Sequence, residues 1–397
     1  MKNLFAGKRL LEDKKIYIIT FVSVLTGLGV SFVDTVWALY IDSFVHSVFL
    51  VGLVSALITF ISFISYFFVI PLVEKNDRVK LYLLSLIIYV LSFFLFSIFS
   101  SFILLILIVI PLAFFKSLRI TSFGIIVKDY SKRKNLVKNE GFLYAVENIA
   151  WVIGPLIAGY LLSSYGFGFV FFITSLILLF SFFVVRFSKM KDSEIKKKLD
   201  GDMMKNFIDF FRNKNRVFAY LLSGGVSVWW SLIYIFVPVY IVEAGFSELL
   251  VGYFLFAIAV PLVLGEYYFS TLASRKGFKK IFRIGYFIVG VFSLVCFFIF
   301  NIYVLLLILV LASFGMAMLE STTEAYFFDV LGKKQHLRFY GPFNTADTLL
   351  GSIARLSSSA LLFFLPFKFI FILFSGFMIF NFVLTFFIKD SIESRRR

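Results

Sequence analysis

The stretch GFLYAVENIAWVIGPLIAG, residues 141–159, is an apolar run interrupted by Glu147 and by a Gly-Pro pair. An ionisable side chain deep in a bilayer costs about 2.5–3.5 kcal/mol on insertion scales, so such an acid needs a partner or water. One helical face holds the acid and three small residues: Glu147, Ala150, Gly154 and Ala158. Small residues let helices approach closely, so the pattern predicts that Glu147 points toward another helix and that Pro155 bends its own helix.

The composition around this stretch is that of an integral membrane protein. The 397 residues are 61% hydrophobic and 16% charged, and the mean hydropathy is +0.97, whereas soluble domains are about a quarter charged. Apolar runs of about 20 residues, enough to cross a bilayer, recur along the chain. They predict twelve spans, at 16–41, 48–73, 81–99, 102–127, 141–163, 167–187, 217–242, 248–273, 281–300, 302–327, 340–363 and 367–388. The predicted fold class is an all-α integral membrane protein, with the first run kept as a helix.

The net charge of +16 indicates membrane topology. Lysine and arginine concentrate in alternate segments, which are the N-terminus, the loops near 74–80, 128–138, 186–216, 275–283 and 333–338, and the C-terminal tail. The exceptions are Lys116, Arg119, Arg355 and Lys368. By the positive-inside rule, both termini of this multi-pass protein of the cell membrane are cytoplasmic. We therefore expect the basic surface to contact anionic lipid and not nucleic acid.

The sequence repeats itself at an offset of 200 residues. Lys80 falls on Lys280, Asp129 on Asp329, and the basic loop at 74 on the basic loop at 274. The repeat predicts an N-terminal six-helix half at 1–187, a basic cytoplasmic linker at 188–215 and a C-terminal six-helix half at 216–397. Within the linker, Met204, Ile208 and Phe211 share one helical face, as in an amphipathic helix at a membrane surface; a solvated tether is the alternative.

Two parallel six-helix halves joined by a basic loop resemble the major facilitator superfamily, whose halves rock about a central substrate site. The loop PLVEKNDRVK is similar to the family's loop 2-3 signature, with Glu74 for the usual Asp and Asp77 for Gly. The corresponding loop of the second half, LASRKGFKK, keeps Gly277 but lacks the acid. The resemblance implies a cytoplasmic latch formed by Glu74, Arg78, Asp129, Arg275, Lys279 and Asp329.

The opening stretch resembles a narrower branch of that superfamily, the drug:proton antiporters. Their fifth helix carries Gly, eight residues, Gly, three residues, Gly-Pro, two residues and Gly-Gly. The matching positions here are Gly141, Ala150, Gly154, Pro155, Ala158 and Gly159, so both departures replace Gly with Ala. These antiporters have an arginine deep in the fourth span, and the corresponding residue here is Val109. The role of that arginine is therefore not assigned to any residue of this chain.

Charged residues predicted to lie inside the membrane avoid spans 3, 6, 9 and 12, which are the lipid-facing helices of the family. Glu320 and Glu324 lie one turn apart, where like charges repel and protonation of one is favoured. Asp347 is the repeat equivalent of Glu147. These residues are the candidates for proton coupling: Glu320, Glu324, Asp347 and Glu147. The alternatives are an ion pair of Glu147 with Arg119, and a solvated Glu324 at the cytoplasmic mouth.

Further polar and aromatic residues are candidates for a substrate cavity: Asp34, Trp37, Lys116, Arg119, Tyr144, Asn148, Trp229, Trp230, Tyr234, Glu266, Asn344 and Arg355. Asp34 would meet a cationic substrate, or pair with Lys116 or Arg355. For the tryptophans, packing is the favoured alternative. The single cysteine and the absence of an HExxH motif, a phosphate-binding glycine loop or a catalytic triad predict no enzyme, no metal and no cofactor.

The resemblance and the acids together predict a secondary active transporter that alternates access between its halves. The leading hypothesis is proton-coupled efflux of lipophilic, cationic small molecules, because acids outnumber bases inside the predicted spans. The alternative is uptake of a nutrient or metabolite (a sugar, an amino acid or an organic anion), with Lys116, Arg119 or Arg355 holding an anion. The expected partners are a small-molecule substrate, protons and membrane lipids, and we expect a monomer.

Overall fold

The computed structural model describes residues 14–130, 136–188, 190, 203–331 and 335–388 of the chain, and every regular element among them is a helix. The N-terminal leader, most of the basic linker and the C-terminal tail lie outside the described residues. The helices are α1 (Lys14–Val45), α2 (Val48–Lys75), α3 (Arg78–Ile98), α4 (Phe102–Tyr130), α5 (Leu136–Phe187), α6 (Met203–Phe211), α7 (Lys214–Ser231), α8 (Val237–Glu243), α9 (Glu248–Lys276), α10 (Phe278–Phe298), α11 (Ile302–Val330), α12 (His336–Phe364) and α13 (Phe369–Leu384).

The described helices supply twelve membrane crossings. Nine helical stretches are long and apolar enough to span a bilayer among the described residues, and α12 and the shorter apolar α13 follow them. The twelfth crossing comes from α5, which is broken at Gly166, where φ is 78° and ψ is 176°. Only glycine adopts such a conformation readily, so Gly166 separates a span before it from a span after it. In contrast, α7 runs through a π-helical turn (Leu232–Phe236) into α8 as one span.

The 200-residue repeat has a direct counterpart in the hydrogen bonds. Ser175 in α5 donates to the carbonyl oxygen of Val90 in α3, at 3.0 Å. Two hundred residues later, Ser375 in α13 donates to the carbonyl oxygen of Gly290 in α10, at 2.8 Å. Buried hydroxyl groups need such acceptors in a bilayer. Donor and acceptor both recur at the same offset, so the two repeats fold alike.

By their contacts the residues divide into two compact units. The first unit contains residues 1–36 and 64–198, and the second contains residues 37–63 and 199–397. The end of α1 and the beginning of α2 therefore belong, by their contacts, to the same unit as α7–α13. The division at residues 188–215 that the repeat predicts stays a prediction about domains.

Candidate functional site

In the first unit, the small-residue face of α5 lies against α1, as its spacing predicts. A Cβ atom added to Gly27 would lie 3.1 Å from Glu147 Cγ and 3.6 Å from Ala150 Cβ. A Cβ atom added to Gly154 would overlap Ser31. Ala150 and Ala158 are buried, and the backbone stays helical at Pro155. The missing side chains therefore permit the approach of α1 that brings Glu147 to a neighbouring helix.

Glu147 is held by hydrogen-bond donors and not by an ion pair. Ser23 on α1 donates its hydroxyl hydrogen to Glu147 Oε2, and the Trp151 indole lies close to the same carboxyl group. Arg119 is near enough to interact electrostatically with Glu147. Within the described residues, however, the ion pairs do not include Arg119 with Glu147. The direct ion pair offered as an alternative for Glu147 is not among the described contacts, and Arg119 acts on this carboxyl group at longer range.

Arg119 lies over an aromatic ring. Its guanidinium carbon is 5.6 Å from the centre of the Tyr89 ring, a cation–π distance. Asp34 also interacts electrostatically with Tyr89. The Nε of Arg119 is buried and has no hydrogen-bond partner. Lys116, one turn earlier, is exposed. The first unit thus brings Asp34, Arg119 and Glu147 together and leaves Lys116 outside.

In the second unit, Glu320 interacts electrostatically with carboxylates of two other helices. Ser227 on α7 donates to Asp347 Oδ1 on α12, while Asp347 itself stays exposed. Glu320 on α11 interacts electrostatically with both Asp347 and Glu266 of α9. Glu320 Oε2 is buried without a hydrogen-bond partner. The charged groups that act on Glu320 are thus carboxylates, and such like charges favour uptake of a proton or a cation.

An aromatic pair borders these acids. The Trp230 indole lies close to the Glu320 carboxyl group, and the Trp230 ring is 5.4 Å from the Tyr234 ring. Glu324, one turn from Glu320, accepts a hydrogen bond of 2.9 Å from the Tyr340 hydroxyl group. Glu324 therefore has a neutral donor of its own. The half-buried Trp230 and the Glu320 carboxyl group together provide aromatic and anionic surface.

Arg355 is bound to α2 in the second unit. Its guanidinium group donates to the carbonyl oxygen of Ser55, to the hydroxyl of Thr59, and to the hydroxyl of Ser231 at 3.2 Å. On the same side of α12, Ser352 donates to the carbonyl oxygen of Ala56 at 3.0 Å and Ser359 donates to that of Phe49 at 2.5 Å. We call this set of interhelical bonds the α2–α12 clasp. These bonds commit the Arg355 guanidinium to α2, which leaves it a poor candidate for holding a substrate.

Comparisons with known proteins agree with this helical architecture. The family model described as Major Facilitator Superfamily matches residues 19–268 and 259–397, which is most of the chain. The chain belongs to the major facilitator superfamily. Members of this family are transporters and not enzymes, so this major facilitator is a transporter. A search of curated protein sequences gave no match.

Solved structures of other transporters share the fold of this major facilitator. A POT family transporter in complex with a thioalcohol-conjugated peptide is 13% identical with a TM-score of 0.77, covering 94% of this chain and 95% of that one. The nucleoside transporter NupG is 12% identical, with a TM-score of 0.73 and coverage of 94% and 98%. A bacterial homologue of the iron transporter ferroportin, in an inward-facing state, is 17% identical, with a TM-score of 0.68 and coverage of 94% and 97%. At these identities the likeness concerns the fold alone.

The latch residues of this major facilitator are partly paired. Arg78 Nη1 lies 3.1 Å from Asp129 Oδ2, and the Arg78 side chain is 10% exposed. Glu74 also interacts electrostatically with Arg78. In the second unit, Lys279 donates to the carbonyl oxygens of Phe386 and Ile388, Arg275 is exposed, and Asp329 is half-buried. The latch role itself stays a prediction.

The remaining cavity candidates of this major facilitator divide by burial. Trp229 is fully buried, and Trp37 packs 6.3 Å from Tyr40. Asn148 and Asn344 are half-buried. The side chain of Tyr144 and the burial of the motif residue Gly141 lie outside the described part of the structure. Across the described residues, no group of three histidine, cysteine or acidic side chains could hold a metal ion.

Sequence reasoning missed the hydroxyl groups that serve the acids. Ser23 and Ser227 bind the two acids that the repeat relates, but they are 204 residues apart and so lie outside the 200-residue register. The 200-residue offset therefore could not predict these two serines as equivalent partners of the acids. Tyr340, the partner of Glu324, lies 16 residues further along the chain, on α12. Only the packing of α11 and α12 brings those two together.

Proposed function

We propose that this transporter couples the movement of protons to the export of lipophilic organic cations. The observation that carries the proposal is the group of carboxylates Glu266, Glu320 and Asp347, contributed by three different helices of the second unit. Like charges at bilayer depth are costly unless a proton or a cation joins them. Such a site binds protons in one step of the transport cycle and the organic cation in another.

The nearest basic residue on α12 does not neutralise these acids. Arg355 follows Asp347 by eight residues, which corresponds to about 12 Å along a helix. Its guanidinium group is bound to α2 and to Ser231. The charge of Arg355 is therefore already solvated by protein acceptors. This supports the view that Glu320 and Asp347 receive their positive charge from outside the protein.

The aromatic pair favours an organic cation over an inorganic one. Trp230 lies next to Glu320 and packs against Tyr234. A cation over an indole ring gains about 0.5–2 kcal/mol, and the apolar part of a lipophilic cation gains more by leaving water. Binding of the cation and of protons to the same carboxylates is mutually exclusive, which links the two fluxes.

The direction of transport is proposed from the α5 pattern. Gly154-Pro155 and the small residues at 150, 158 and 159 are similar to the drug:proton antiporter motif. In such an antiporter, protons enter as the drug leaves. The α2–α12 clasp would have to break whenever the beginning of α2 moves away from α12, and it would form again when they close.

Proton movement in proteoliposomes tests the proposal. Addition of a lipophilic cation to vesicles with an internal pH dye should move protons with the wild type, and Glu320→Gln should abolish this coupling while cation binding remains measurable. Glu324→Gln is the matched control, because Glu324 has its own donor in Tyr340. The absence of any pH change across a panel of cations would reject proton-coupled export.

A second candidate function is uptake of an organic anion, supported by Arg119. Its Nε is buried and unbonded, and its guanidinium group rests on Tyr89. A carboxylate or phosphate substrate would supply the missing acceptor. Counterflow of labelled organic acids should then depend on Arg119 and survive Glu320→Gln. Counterflow that persists in Arg119→Gln would remove this candidate.

A further inference from the structure

The helix α6 is docked through one apolar face. Phe210 is fully buried, with its ring 5.8 Å from Tyr220, 6.3 Å from Phe327 and 6.0 Å from Phe339. Phe207, on the same side, lies 6.2 Å from Phe63. These contacts hold α6 against α7, α11 and α12 within the second unit. The helix is therefore packed onto the second unit rather than hanging as a solvated tether.

Polar bonds fix the orientation of α6. Arg338 at the start of α12 pairs with Asp209 and donates to Asn206 Oδ1 at 2.8 Å. Arg216 donates through Nε to the carbonyl oxygen of Phe210 at 3.0 Å and lies 4.1 Å from the Phe339 ring. With one side buried and another side paired to arginine, the rotation of α6 about its axis is set.

A second apolar face of α6 remains exposed. Met204 is 52% exposed, Ile208 is 51% exposed and Phe211 is 37% exposed. At about 100° per residue, these three side chains fall within an arc of about 60°. Lys205, about 60° beyond Ile208 on the helix surface, is exposed. Arg212, the residue after the end of α6, is also exposed and pairs with Asp209 at 3.1 Å. The helix surface thus passes from large apolar side chains directly to basic ones.

The end of α6 lies at a membrane boundary. Phe211 precedes by three residues the first residue of α7, Lys214, and α7 begins a membrane span. Asn213 caps that span by accepting from the backbone N–H groups of residues 215 and 216. An exposed apolar face with a basic edge, at the depth where a span begins, matches the boundary between acyl chains and headgroups.

We propose that α6 is an anionic-lipid-binding helix of the transporter. Met204, Ile208 and Phe211 enter the acyl-chain boundary of the bilayer, and Lys205 and Arg212 contact the phosphate groups of anionic lipids. The charge pattern selects lipid over a protein partner, because basic side chains on one edge of the apolar face complement a negatively charged bilayer surface. The inference concerns the linker and is independent of which substrate is transported.

A depth measurement tests whether the apolar face of α6 enters the bilayer. Cys296 is fully buried, so an environment-sensitive dye will label a cysteine introduced at an exposed position. In full-length protein reconstituted with lipids brominated on their acyl chains, a dye at Ile208→Cys should be strongly quenched. The same dye at Asn76→Cys, an exposed position between α2 and α3, is the control for water. Equal quenching at both positions would overturn the insertion of α6.

A lipid titration tests whether the basic side chains Lys205 and Arg212 bind anionic lipid. Phosphatidylglycerol added to the purified protein should raise its unfolding temperature at lower concentration than phosphatidylcholine does, since a ligand of the folded state stabilises it. Each charge removed should weaken the response to phosphatidylglycerol about fivefold, so Lys205→Gln with Arg212→Gln should weaken it about 25-fold. Lys80→Gln, at a side chain that is 83% exposed and paired with Asp77, measures what a basic side chain outside α6 contributes, and it should weaken the response less than Lys205→Gln does. An unchanged response in the double variant, or equal responses to the two lipids, would overturn the proposal.

Discussion

Ser23 on α1 donates its hydroxyl hydrogen to Glu147 on α5, and Arg119 forms no direct ion pair with that acid among the described contacts. Charge-assisted bonds between membrane helices contribute about 1–2 kcal/mol. We expect Ser23→Ala to lower the free energy of unfolding by about that amount, and to cost less once Glu147→Gln has removed the charge. A double-mutant cycle in detergent measures the coupling.

A second double-mutant cycle measures the coupling between Arg119 and Glu147. Arg119→Gln combined with Glu147→Gln should show a smaller coupling than Ser23→Ala with Glu147→Gln, because Arg119 and Glu147 interact electrostatically but share no direct ion pair. Coupling of Arg119 to Glu147 that matches the coupling of Ser23 would contradict the observed arrangement.

The contact of Gly154 with Ser31 leaves no room for a side chain. We expect Gly154→Ala to destabilise the protein by about 1–3 kcal/mol, as overpacking does. Because the added methyl group would overlap the Ser31 side chain, Ser31→Gly should restore much of the loss. Gly124→Ala is the matched control, since nothing lies within 4 Å of its added Cβ. Thermal unfolding of Gly154→Ala, of Gly154→Ala with Ser31→Gly, and of Gly124→Ala measures these effects. A neutral Gly154→Ala would show that α1 and α5 are further apart.

Removal of Arg355 should loosen the α2–α12 clasp. Ala56 is 2% exposed beneath Ser352, so a cysteine placed there should react slowly with a membrane-impermeant maleimide. Loss of about 1–2 kcal/mol of interhelical bonding in Arg355→Ala should raise the labelling rate about 5-fold to 30-fold. Ser357→Ala should change nothing, because the hydrogen bonds of Ser357 within the described residues go to carbonyl oxygens of its own helix, at Ile353 and Ala354. Equal labelling rates in the two variants would show that the clasp does not hold α2 and α12 together.

The Arg78–Asp129 pair should be coupled more strongly than an exposed pair. Its side chains are 10% and 22% exposed, whereas those of Lys80 and Asp77 are 83% and 35% exposed at 3.9 Å. A double-mutant cycle on Arg78→Gln and Asp129→Asn should give about 1–3 kcal/mol. The cycle on the exposed pair should give less than about 1 kcal/mol. Similar values for both pairs would mean that the burial of Arg78 adds nothing to the latch.

Much of the fold could be predicted from patterns that lie along the chain. Hydrophobic length predicts the crossings, including the division of α5, which falls at Gly166 between the predicted spans 141–163 and 167–187. The 200-residue offset predicts two similar repeats, and the equivalent bonds of Ser175 and Ser375 are its structural expression. The face of Glu147, Ala150, Gly154 and Ala158 follows from helical spacing alone.

The partners of the site residues required the tertiary structure. Helical spacing states which side a residue occupies but not which helix meets that side, so Ser23 could not be assigned to Glu147, nor Ser227 to Asp347. Arg355 was predicted to line a cavity, because a charge in an apolar run signals function; the structure binds it to Ser55 and Thr59, nearly 300 residues away in sequence.

The sequence by itself determined that this is a membrane protein of repeated apolar helices, that acids recur at equivalent places in the two repeats, and that α5 has a face of small residues. These properties follow from local composition and from the period of the helix, which need no knowledge of neighbours. Only the tertiary structure decided which donor satisfies each acid, which helix receives Arg355, and which apolar face of α6 is buried and which is exposed. These features depend on contacts between segments that are distant in sequence, and a sequence pattern does not state which helices are close in space.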